Sequence, residues 1–441
     1  MRINLTDNNI GQPNAGTFQR NDVAALFPIA DKTIAELCRE NENLLIFPFS
    51  IETSDDRIGE SSVMSILNTD DPEKVRISTG NVMGFIGVGE LQIKIKSRFD
   101  TGRDDFLLHY MLQKVLSFNL FDLSHNNEQE DVFDFIMFMF PYFLKSALRQ
   151  GIYREYQNYR HNDANIKGTI DIGRHIARNI PFVGNIAYST REYSHDNNMT
   201  ELIRHTIEFM KTKKYGQSVL NIDKETVENV NTIIEHTPLY SKKGRSSIMS
   251  KNLRMKIHPY YTEYCPLQTL CLQILRMEEV KYGESDDEIC GILFDGAWLW
   301  EEYVNTILSE IGFIHPENKL HKGGIYLFDD HSGVRYPDFY KDDFVLDAKY
   351  KRLGSYDKVS KVDRDDVHQV IAYINALHAT RGGFVAPLEQ KQAKIPTSRL
   401  KDSASTLSIF GIEISKTASS YADFCEKMKG MEMDFVESLN V

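Results

Sequence analysis

One stretch in the C-terminal third constrains the fold more than any other part of this sequence. Residues 334–340 and 344–350 are rich in β-forming side chains, and the polar residues 341–343 between them predict a β-hairpin. If the two residues before Phe344 form a two-residue turn, Asp338 faces Asp347 directly across the hairpin. Directly opposed residues hold their Cβ atoms roughly 4.5–5.5 Å apart. The sequence therefore predicts two carboxyl groups in close contact.

Two unpaired carboxylates at that distance repel each other, and a divalent cation between them removes the repulsion. Lys349 lies two residues after Asp347 and therefore points to the same face of the strand. A small number of oxygen ligands suits Mg²⁺, which keeps several waters and binds substrate phosphate, and Mn²⁺ could replace it. Such a metal polarises a phosphoryl oxygen and lowers the pKa of a bound water.

These residue types predict a site that cleaves phosphodiesters, with Asp338 and Asp347 as metal ligands. Lys349 would position or deprotonate the attacking water, or stabilise the charge that develops on the phosphate. The alternative interpretation is a surface hairpin with an isolated Asp–Lys pair.

Side chains outside the hairpin can complete this site. Gln369 and Tyr373 are four residues apart on a helix predicted for residues 363–378, so they share one face of it. Both could reach a metal-bound water or a phosphate; alternatively, Gln369 is a surface residue and Tyr373 lies at the rim of the core. Glu301 could supply a third metal-binding carboxylate or remain a solvated glutamate. Lys351 could hold a phosphate or end the strand in solvent.

The net charge of −12 argues against a protein that coats nucleic acid by bulk attraction, so any DNA contact needs a local basic surface. Residues 241–256 contain no acidic side chain and are either such a surface or a solvated loop between helices. The candidates for DNA contact are Lys351, Tyr373 and Arg335 near the hairpin, together with Lys242, Lys243, Arg245, Lys251 and Arg254.

Other classes of protein are excluded by what the sequence lacks. It contains no Gly-x-x-x-x-Gly-Lys-Ser/Thr motif, so we do not expect it to bind a nucleotide as a P-loop enzyme does. Five cysteines without a Cys-x-x-Cys pair predict neither a disulfide framework nor a zinc site. No signal peptide or membrane-spanning run is apparent, so we expect a cytoplasmic protein without a membrane partner.

The order of predicted elements indicates a multi-domain α/β protein. We expect an N-terminal α+β domain at residues 1–150, a mainly helical and basic middle region at 151–282, and a C-terminal domain at 283–441. The polar residues 1–22 predict a loose arm, and a glycine-rich β segment covers 75–98, where the glycines predict turns and bulges. A helix is predicted at 293–311.

The motifs resemble a known family. Pro-Asp, a short turn and Asp-x-Lys, at Asp338, Asp347 and Lys349, resemble the PD-(D/E)XK nuclease superfamily. The longer set resembles the McrC-type nuclease subunits of McrBC modification-dependent (5-methylcytosine) restriction systems, over roughly residues 75–415. It comprises Leu299-Trp300-Glu301-Glu302-Tyr303-Val304, Arg335-x-Pro337-Asp338, Leu346-Asp347-Ala348-Lys349-Tyr350-Lys351 and Asp366-x-x-Gln369-x-x-x-Tyr373, with Lys167-Gly168-Thr169-Ile170-Asp171 upstream. Thr200 departs from the pattern, which usually has asparagine there.

The resemblance implies a division of labour. In such host-defence systems an McrB-like AAA+ GTPase ring recognises modified double-stranded DNA and translocates, while the McrC-like subunit docks on the ring through its N-terminal half, stimulates GTP hydrolysis and cuts. It implies a PD-(D/E)XK mixed sheet flanked by helices in residues 283–441, with GTP bound only by the partner. By position, Asp338 and Asp347 would be ligands, Lys349 the catalytic lysine, and Glu301 and Gln369 supporting groups. The alternative function is a non-cutting adaptor that caps and activates the ring.

Overall fold

Two regions that are far apart in the sequence share one compact unit. The computed structural model describes residues 2–10, 16–41, 44–48, 61–88, 91–100, 105–116, 128–213, 215–254, 258–281, 289–316 and 323–440. Residues 1–124 and 285–441 form the first unit, and residues 125–284 form the second. This division differs from the predicted 1–150, 151–282 and 283–441, because the two ends of the chain come together. The linker predicted at 283–287 lies outside the described residues.

The strands of the first unit are β1 (Arg2–Thr6), β2 (Phe18–Gln19), β3 (Leu44–Phe47), β4 (Met64–Asn68), β5 (Lys74–Thr79), β6 (Val82–Val88), β7 (Leu91–Lys96), β11 (Ile289–Asp295), β12 (Ile325–Tyr326), β13 (Val334–Arg335), β14 (Phe339–Lys341), β15 (Phe344–Ala348), β16 (Arg381–Leu388), β17 (Thr397–Arg399) and β18 (Thr406–Glu413). Its helices are α1 (Ile34–Glu40), α2 (Phe106–Leu116), α10 (Gly296–Leu308), α11 (Arg364–Leu377) and α12 (Tyr421–Ser438). The second unit contains β8 (Glu155–Asp163), β9 (Thr169–Ile170), β10 (Ile186–Ser194), α3 (Glu128–Arg149), α4 (Ile172–Asn179), α5 (Asn198–Met210), α6 (Gly216–Leu220), α7 (Lys224–Glu235), α8 (Arg245–Lys251) and α9 (Tyr264–Lys281).

A five-stranded sheet in the order β1-β7-β6-β11-β3 joins the two ends of the first unit. β11 pairs in parallel with β3 and antiparallel with β6, so a strand that follows the second unit in sequence lies inside an N-terminal sheet. β1 pairs in parallel with β7, and its Ile3 and Leu5 are buried. The prediction of a loose arm at residues 1–22 is therefore wrong, because the alternation of apolar and polar residues in β1 places one face in the core.

The glycine-rich β segment is confirmed as β5, β6 and β7, with the period-two burial of β7 that its sequence predicts. Gly84 lies within β6 rather than in a turn between strands, and its φ is +133°. A Cβ at this position would lie 2.2 Å from the backbone oxygen of Ile292 in β11. The close approach of these two central strands therefore requires glycine at residue 84.

The helix predicted at 293–311 begins later than expected, because residues 289–295 form β11. α10 starts at Gly296, and the Asp295 side chain accepts a hydrogen bond from the backbone N–H of Trp298 at 2.7 Å. This N-cap satisfies one of the free N–H groups of the first helical turn. The apolar run before Asp295 suits a buried strand and a helix equally well, so its periodicity does not distinguish them.

The second unit combines helices with a small antiparallel sheet in the order β8-β10-β9. Helices such as α5 and α7 lie in the region predicted to be mainly helical. Buried side chains of the helices, among them Phe140, Leu202 and Leu270, form the apolar core. The sheet was not predicted, because β8 alternates between half-buried and exposed residues and has no apolar face. None of the described helices is long and apolar enough to cross a membrane.

Candidate metal and phosphodiester site

A second five-stranded sheet of the first unit, in the order β14-β15-β16-β18-β17, carries the predicted hairpin at one edge. β15, β16 and β18 are parallel, whereas β14 and β17 pair antiparallel at the two edges. Lys341 pairs with Phe344 and Phe339 pairs with Leu346. The two aspartates between Lys341 and Phe344 form the turn, so the predicted hairpin and its register are confirmed. β13 is not part of the hairpin strand and pairs with β12 instead.

The hairpin register sets Asp338, one residue before β14, opposite Asp347 of β15. Asp347 is only 1% exposed, whereas Asp338 is half-buried. Asp338 Oδ2 accepts a hydrogen bond from the Ala348 backbone N–H at 2.7 Å. Beyond an ion pair with Lys349, neither carboxyl oxygen of Asp347 has a hydrogen-bond partner in suitable geometry among the described residues. Buried carboxyl oxygens without such partners are costly, and they are typical of a site that another group completes.

Burial and nearby negative charges raise the pKa of both carboxyl groups. Burial, followed by the charge of Glu301, raises the pKa of Asp338 to about 8, although Lys349 acts in the opposite direction. Burial, followed by the charge of Asp338, raises the pKa of Asp347 to about 8. Both carboxyl groups are therefore harder to ionise than in water, and a bound cation would favour their ionised forms.

Lys349 follows the end of β15 and contacts the buried aspartate. Its Nζ lies 2.7 Å from Asp347 Oδ2, 3.4 Å from Asp366 Oδ1 and 3.4 Å from Gln369 Oε1. Burial opposes the charge on Lys349, but Asp347 and Asp338 outweigh it, so the pKa of this ammonium group is raised. Lys349 therefore keeps its positive charge in this arrangement.

Asp366 belongs to the motif Asp366-x-x-Gln369-x-x-x-Tyr373, but no role at the site was predicted for it from the sequence. It lies in the first turn of α11, and its two carboxylate oxygens contact Lys349 at 3.4 Å and Lys351 Nζ at 2.5 Å. Its position three residues before Gln369 sets it on the same face of the helix. The spacing of Asp366 and Gln369 was therefore the signal in the sequence that could have identified Asp366. Lys351 is half-exposed and bound to Asp366.

The predicted helix at 363–378 is confirmed as α11, and it packs against β15. Gln369 is exposed at the side of the site and donates a hydrogen bond from Nε2 to the Tyr373 hydroxyl at 2.9 Å. Tyr373 is 3% exposed, and its hydroxyl donates to the Tyr336 carbonyl at 3.4 Å. Of the two residues, Gln369 reaches Lys349, whereas Tyr373 supports Gln369 from the rim of the core.

Glu301 lies on α10, close enough to raise the pKa of Asp338, and a histidine contacts both residues. His315 Nδ1 donates a hydrogen bond to the backbone oxygen of Asp338 at 2.7 Å, and its Nε2 lies 3.8 Å from Glu301 and 4.0 Å from Glu302. No sequence signal selected His315. Within the described ranges, no three His, Cys, Asp or Glu side chains are grouped as a complete metal site, so Glu301 stays a predicted third ligand.

The basic residues predicted to contact DNA fall into two groups. Arg245 is partly buried in the second unit, where it donates a hydrogen bond to the Leu275 carbonyl and covers the Phe209 ring at 4.6 Å. It therefore supports the helical core. The others are exposed at the surface of their units: Arg335 on β13, Lys242, Lys243 and Lys251 on a 3-10 turn and α8, and Arg254 beyond it. Residues 242–251 are helical rather than a loop.

The second unit also exposes apolar side chains that were not predicted. We call Ile172, Ile176, Ile180, Phe182 and Val183 the apolar strip. Each of the five is more than half exposed. Ile172 and Ile176 share one face of α4, and the others follow within one short segment. Contiguous exposed apolar groups are typical of a surface that binds another protein.

Comparison with known families assigns the chain to one of them. The model of the McrBC 5-methylcytosine restriction system component matches residues 77–387. The chain belongs to this family. The match includes the hairpin, Lys349 and Gln369, as well as the whole second unit. The family resemblance expected from the motifs is therefore confirmed.

Solved structures give two further similarities to McrBC assemblies. The chain is 15% identical, with a TM-score of 0.48, to a chain of the refined half-complex from a tetradecameric assembly of Thermococcus gammatolerans McrB AAA+ hexamers with bound McrC, covering 98% of this chain and 100% of that one. It is 14% identical, with a TM-score of 0.32, to a chain of the Thermococcus gammatolerans McrBC complex, covering 70% of this chain and 87% of that one. No curated protein sequence matches the chain.

Proposed function

We propose that this McrBC family member is the McrC-type endonuclease subunit, which cuts DNA by metal-assisted hydrolysis of a phosphodiester in the cytoplasm. The observation that carries the proposal is the hairpin register, which opposes Asp338 and Asp347 and sets Lys349 2.7 Å from Asp347. A mere surface hairpin has no reason to set a half-buried carboxyl group opposite a buried one, since burial of an uncompensated charge is costly. We further propose that the second five-stranded sheet, with α10 and α11 beside it, is of the PD-(D/E)XK type.

The residues present fit a hard divalent cation such as Mg²⁺, with Mn²⁺ as a substitute. Asp347 is nearly inaccessible to water, yet beyond Lys349 its oxygens have no suitable hydrogen-bond donor among the described residues. Burial and neighbouring negative charges raise its pKa and that of Asp338, and a bound cation would offset both causes. Two carboxylates, with substrate phosphate and waters, are a typical set for Mg²⁺. Bound there, the ion would polarise the phosphoryl oxygen and lower the pKa of a water.

The remaining side chains divide the other tasks. Lys349 is a cation because its pKa is raised, so we assign it to stabilising negative charge on the phosphate rather than to removing a proton. Gln369 and Asp366 orient the Lys349 ammonium group from α11. Glu301, 3.8 Å from His315, is available as an additional ligand or as a base. We assign contact with the phosphate backbone to Lys351, which is half-exposed and bound to Asp366, and to the exposed Arg335 of β13.

We propose that the partner is an McrB-like AAA+ GTPase ring, which would bind GTP and select the modified DNA. The family to which the chain belongs is a component of a restriction system, so a further component is expected beside it. Support within this chain comes from the apolar strip, whose exposed side chains suit a protein surface. The β5–β7 segment is a poorer docking element, because buried residues of all three strands belong to the hydrophobic core of the first unit.

The decisive experiment combines the chain with its partner, GTP and Mg²⁺ on methylated and unmethylated DNA. We expect Lys349→Ala and Asp338→Ala to abolish cutting while stimulation of the partner GTPase survives. Asp365→Asn, an exposed acidic residue of the same helix as Gln369, is the control and should cut normally. Unchanged cleavage by the Lys349 or Asp338 variant would contradict the site.

The second candidate function is an adaptor that activates the ring without cutting. The apolar strip favours a docking role, and docking does not require a nuclease. The two functions are separated by the same assay. GTPase stimulation without any cleavage by the unmodified protein would leave only the adaptor, whereas cleavage lost with Lys349 supports the enzyme.

A further inference from the structure

The residue between the two lysines of the site is anchored to the N-terminal sheet. Tyr350 lies between Lys349 and Lys351 and is 3% exposed. Its hydroxyl lies 2.7 Å from Ser97 Oγ, and its ring meets Phe99 edge to face at 5.0 Å. The segment after β7 therefore packs directly against the end of the strand that carries the catalytic groups.

Arg98 binds the backbone that directly follows β15. Its Nη2 donates a hydrogen bond to the carbonyl oxygen of Tyr350, and its guanidinium covers the Tyr350 ring at 4.4 Å. The peptide oxygen that Arg98 holds lies between the two lysines. The Lys349 N–H still donates to the Val385 carbonyl of the sheet, but the paired residues of β15 end at Ala348. Arg98 thus binds the backbone just beyond Ala348, the last paired residue of β15.

Arg98 is in turn fixed by an acidic residue from the extreme N-terminus. Its Nη1 lies 2.6 Å from Asp7 Oδ2 and 3.0 Å from Asn81 Oδ1, and its backbone N–H donates to Asp7 Oδ1 at 2.5 Å. The Asp7 side chain is fully buried and that of Arg98 is 10% exposed. Buried ion pairs contribute little net stability, because desolvation offsets their attraction. We therefore attribute the Asp7–Arg98 pair to the position that it fixes for the Arg98 guanidinium rather than to a gain in stability.

We propose that Arg98, held by Asp7, is a positioning residue that sets the backbone of Lys349 and Lys351 for phosphodiester cleavage. This inference rests on the proposed nuclease function. It gives β1 a role at the site, since Asp7, the residue after this strand, binds Arg98. Arg98 itself contacts neither the phosphate nor the metal ligands. Its effect on the reaction passes through the Tyr350 carbonyl.

The test uses the full chain with its partner and two matched variants. Arg98→Met alone would strand the Asp7 carboxylate, so the double variant Asp7→Asn/Arg98→Met removes the ion pair without leaving a buried charge. The control is the double variant Lys114→Met/Glu432→Gln, which removes another partly buried ion pair of the same unit, at 2.9 Å between α2 and α12, without leaving a buried charge. Amide hydrogen exchange of residues 349–353 and the cleavage rate are measured for both, with the melting temperature as the check on folding.

We expect the double variant to exchange the amides of 349–353 at least about tenfold faster and to cut about 10- to 100-fold more slowly at saturating DNA and Mg²⁺. The KM for DNA and the GTPase stimulation should stay unchanged, and Arg98→Lys should recover part of the rate. The control should show neither effect at an equal loss of melting temperature. Unchanged exchange at 349–353, or cleavage equal to that of the control, would overturn the proposal.

The same assay separates this inference from the proposed function. If Lys349→Ala abolishes cutting but the double variant cuts normally, only the positioning role of Arg98 fails. If Lys349→Ala cuts normally, the nuclease site fails, and with it the positioning role, whatever the exchange of 349–353 shows. If both reduce cutting and exchange rises only in the double variant, both are supported.

Discussion

The first unit contains a buried acidic site: Asp347 is 1% exposed, and the carboxyl group of Asp338 faces it. In the second unit the opposite holds, because the five apolar side chains of the apolar strip stand in solvent. Burying charge and exposing apolar surface both raise the free energy of an isolated fold. Each unit therefore has one region that its own folding does not explain.

The difference between the regions indicates what each can bind. A buried carboxyl pair attracts a small ion and the phosphate that comes with it, since only a compact positive charge fits between opposed strands. An exposed apolar surface attracts another apolar surface, and the gain scales with the area removed from water. We therefore propose that chemistry and assembly are carried by separate units of the chain.

The largest expected effect concerns the buried pair. Asp347→Asn keeps the shape of the side chain but removes the negative charge that a cation needs. We expect the cleavage rate to fall on the order of 1,000-fold, with GTPase stimulation of the partner intact. The measurement is single-turnover cleavage of methylated DNA with GTP and Mg²⁺. A rate within about threefold of the unmodified protein would remove Asp347 from the site.

The second effect concerns the apolar strip. Phe182→Ser with Ile176→Ser removes two of its exposed side chains, which are 66% and 55% accessible. We expect partner affinity to drop at least about 100-fold, and GTPase stimulation with it, because each of the two buried apolar side chains contributes about 1.5–3 kcal/mol at an interface.

The matched control for the strip is Met433→Ser on α12, an exposed apolar residue of the first unit. It should leave stimulation unchanged. Isothermal titration with the GTP-bound ring gives the affinities directly. Equal affinity of the strip variant and this control would show that the partner does not bind the strip.

The third effect is on stability and follows from the raised pKa values. The pKa of Asp347 is about 8 in the folded chain and near 4 when unfolded, so the unfolded state releases its proton first as pH rises. Stability therefore falls between about pH 4 and pH 8 in the absence of metal. Asp347→Asn should be more stable than the unmodified protein by up to roughly 5 kcal/mol at pH 8, and nearly equal at pH 4. Urea unfolding in a chelator measures this; a gap that does not change with pH would contradict the assignment.

The sequence could predict the centre of the first unit because short-range rules govern it. Alternating β-formers and a polar turn determine which residues of a hairpin face each other, and that is enough to oppose Asp338 and Asp347. The spacing of Gln369 and Tyr373 likewise determines their shared face. His315 and Arg98 carry no such signal, since each reaches the site from a distant part of the chain.

The domain organisation could not be predicted from the sequence, because it depends on pairing between strands that are far apart in the chain. β11 enters a sheet whose other strands precede it by about 200 residues, and no local pattern encodes that partner. The second unit was misjudged for a different reason. Its sheet has a polar and half-buried strand β8, and its apolar strip looks in sequence like the core-facing stripe of a helix.

A smaller effect should distinguish the basic residues of the second unit. Lys242→Gln with Lys243→Gln removes two exposed charges, and we expect DNA affinity to fall about 3- to 10-fold at moderate salt. The slope of log affinity against log salt should fall by about 2. Arg245→Gln should instead lower the melting temperature with the salt slope unchanged, because Arg245 binds the Leu275 carbonyl. Identical salt slopes for the double variant and the unmodified protein would exclude this surface from DNA contact.

The smallest effect tests how finely the buried charges are balanced. Asp366 is shared between Lys349 at 3.4 Å and Lys351 at 2.5 Å. In Lys351→Gln the carboxylate is released toward Lys349, which would then be drawn partly away from the phosphate, so we expect cleavage to slow about two- to threefold. The control is Lys361→Gln, which breaks an exposed pair with Asp357 at 2.6 Å in the same unit. Surface pairs of that kind contribute roughly 0–1 kcal/mol and affect nothing at a distance. If both variants cut at the same rate, the Asp366 carboxylate does not control Lys349, and the acidic site depends on its two facing aspartates alone.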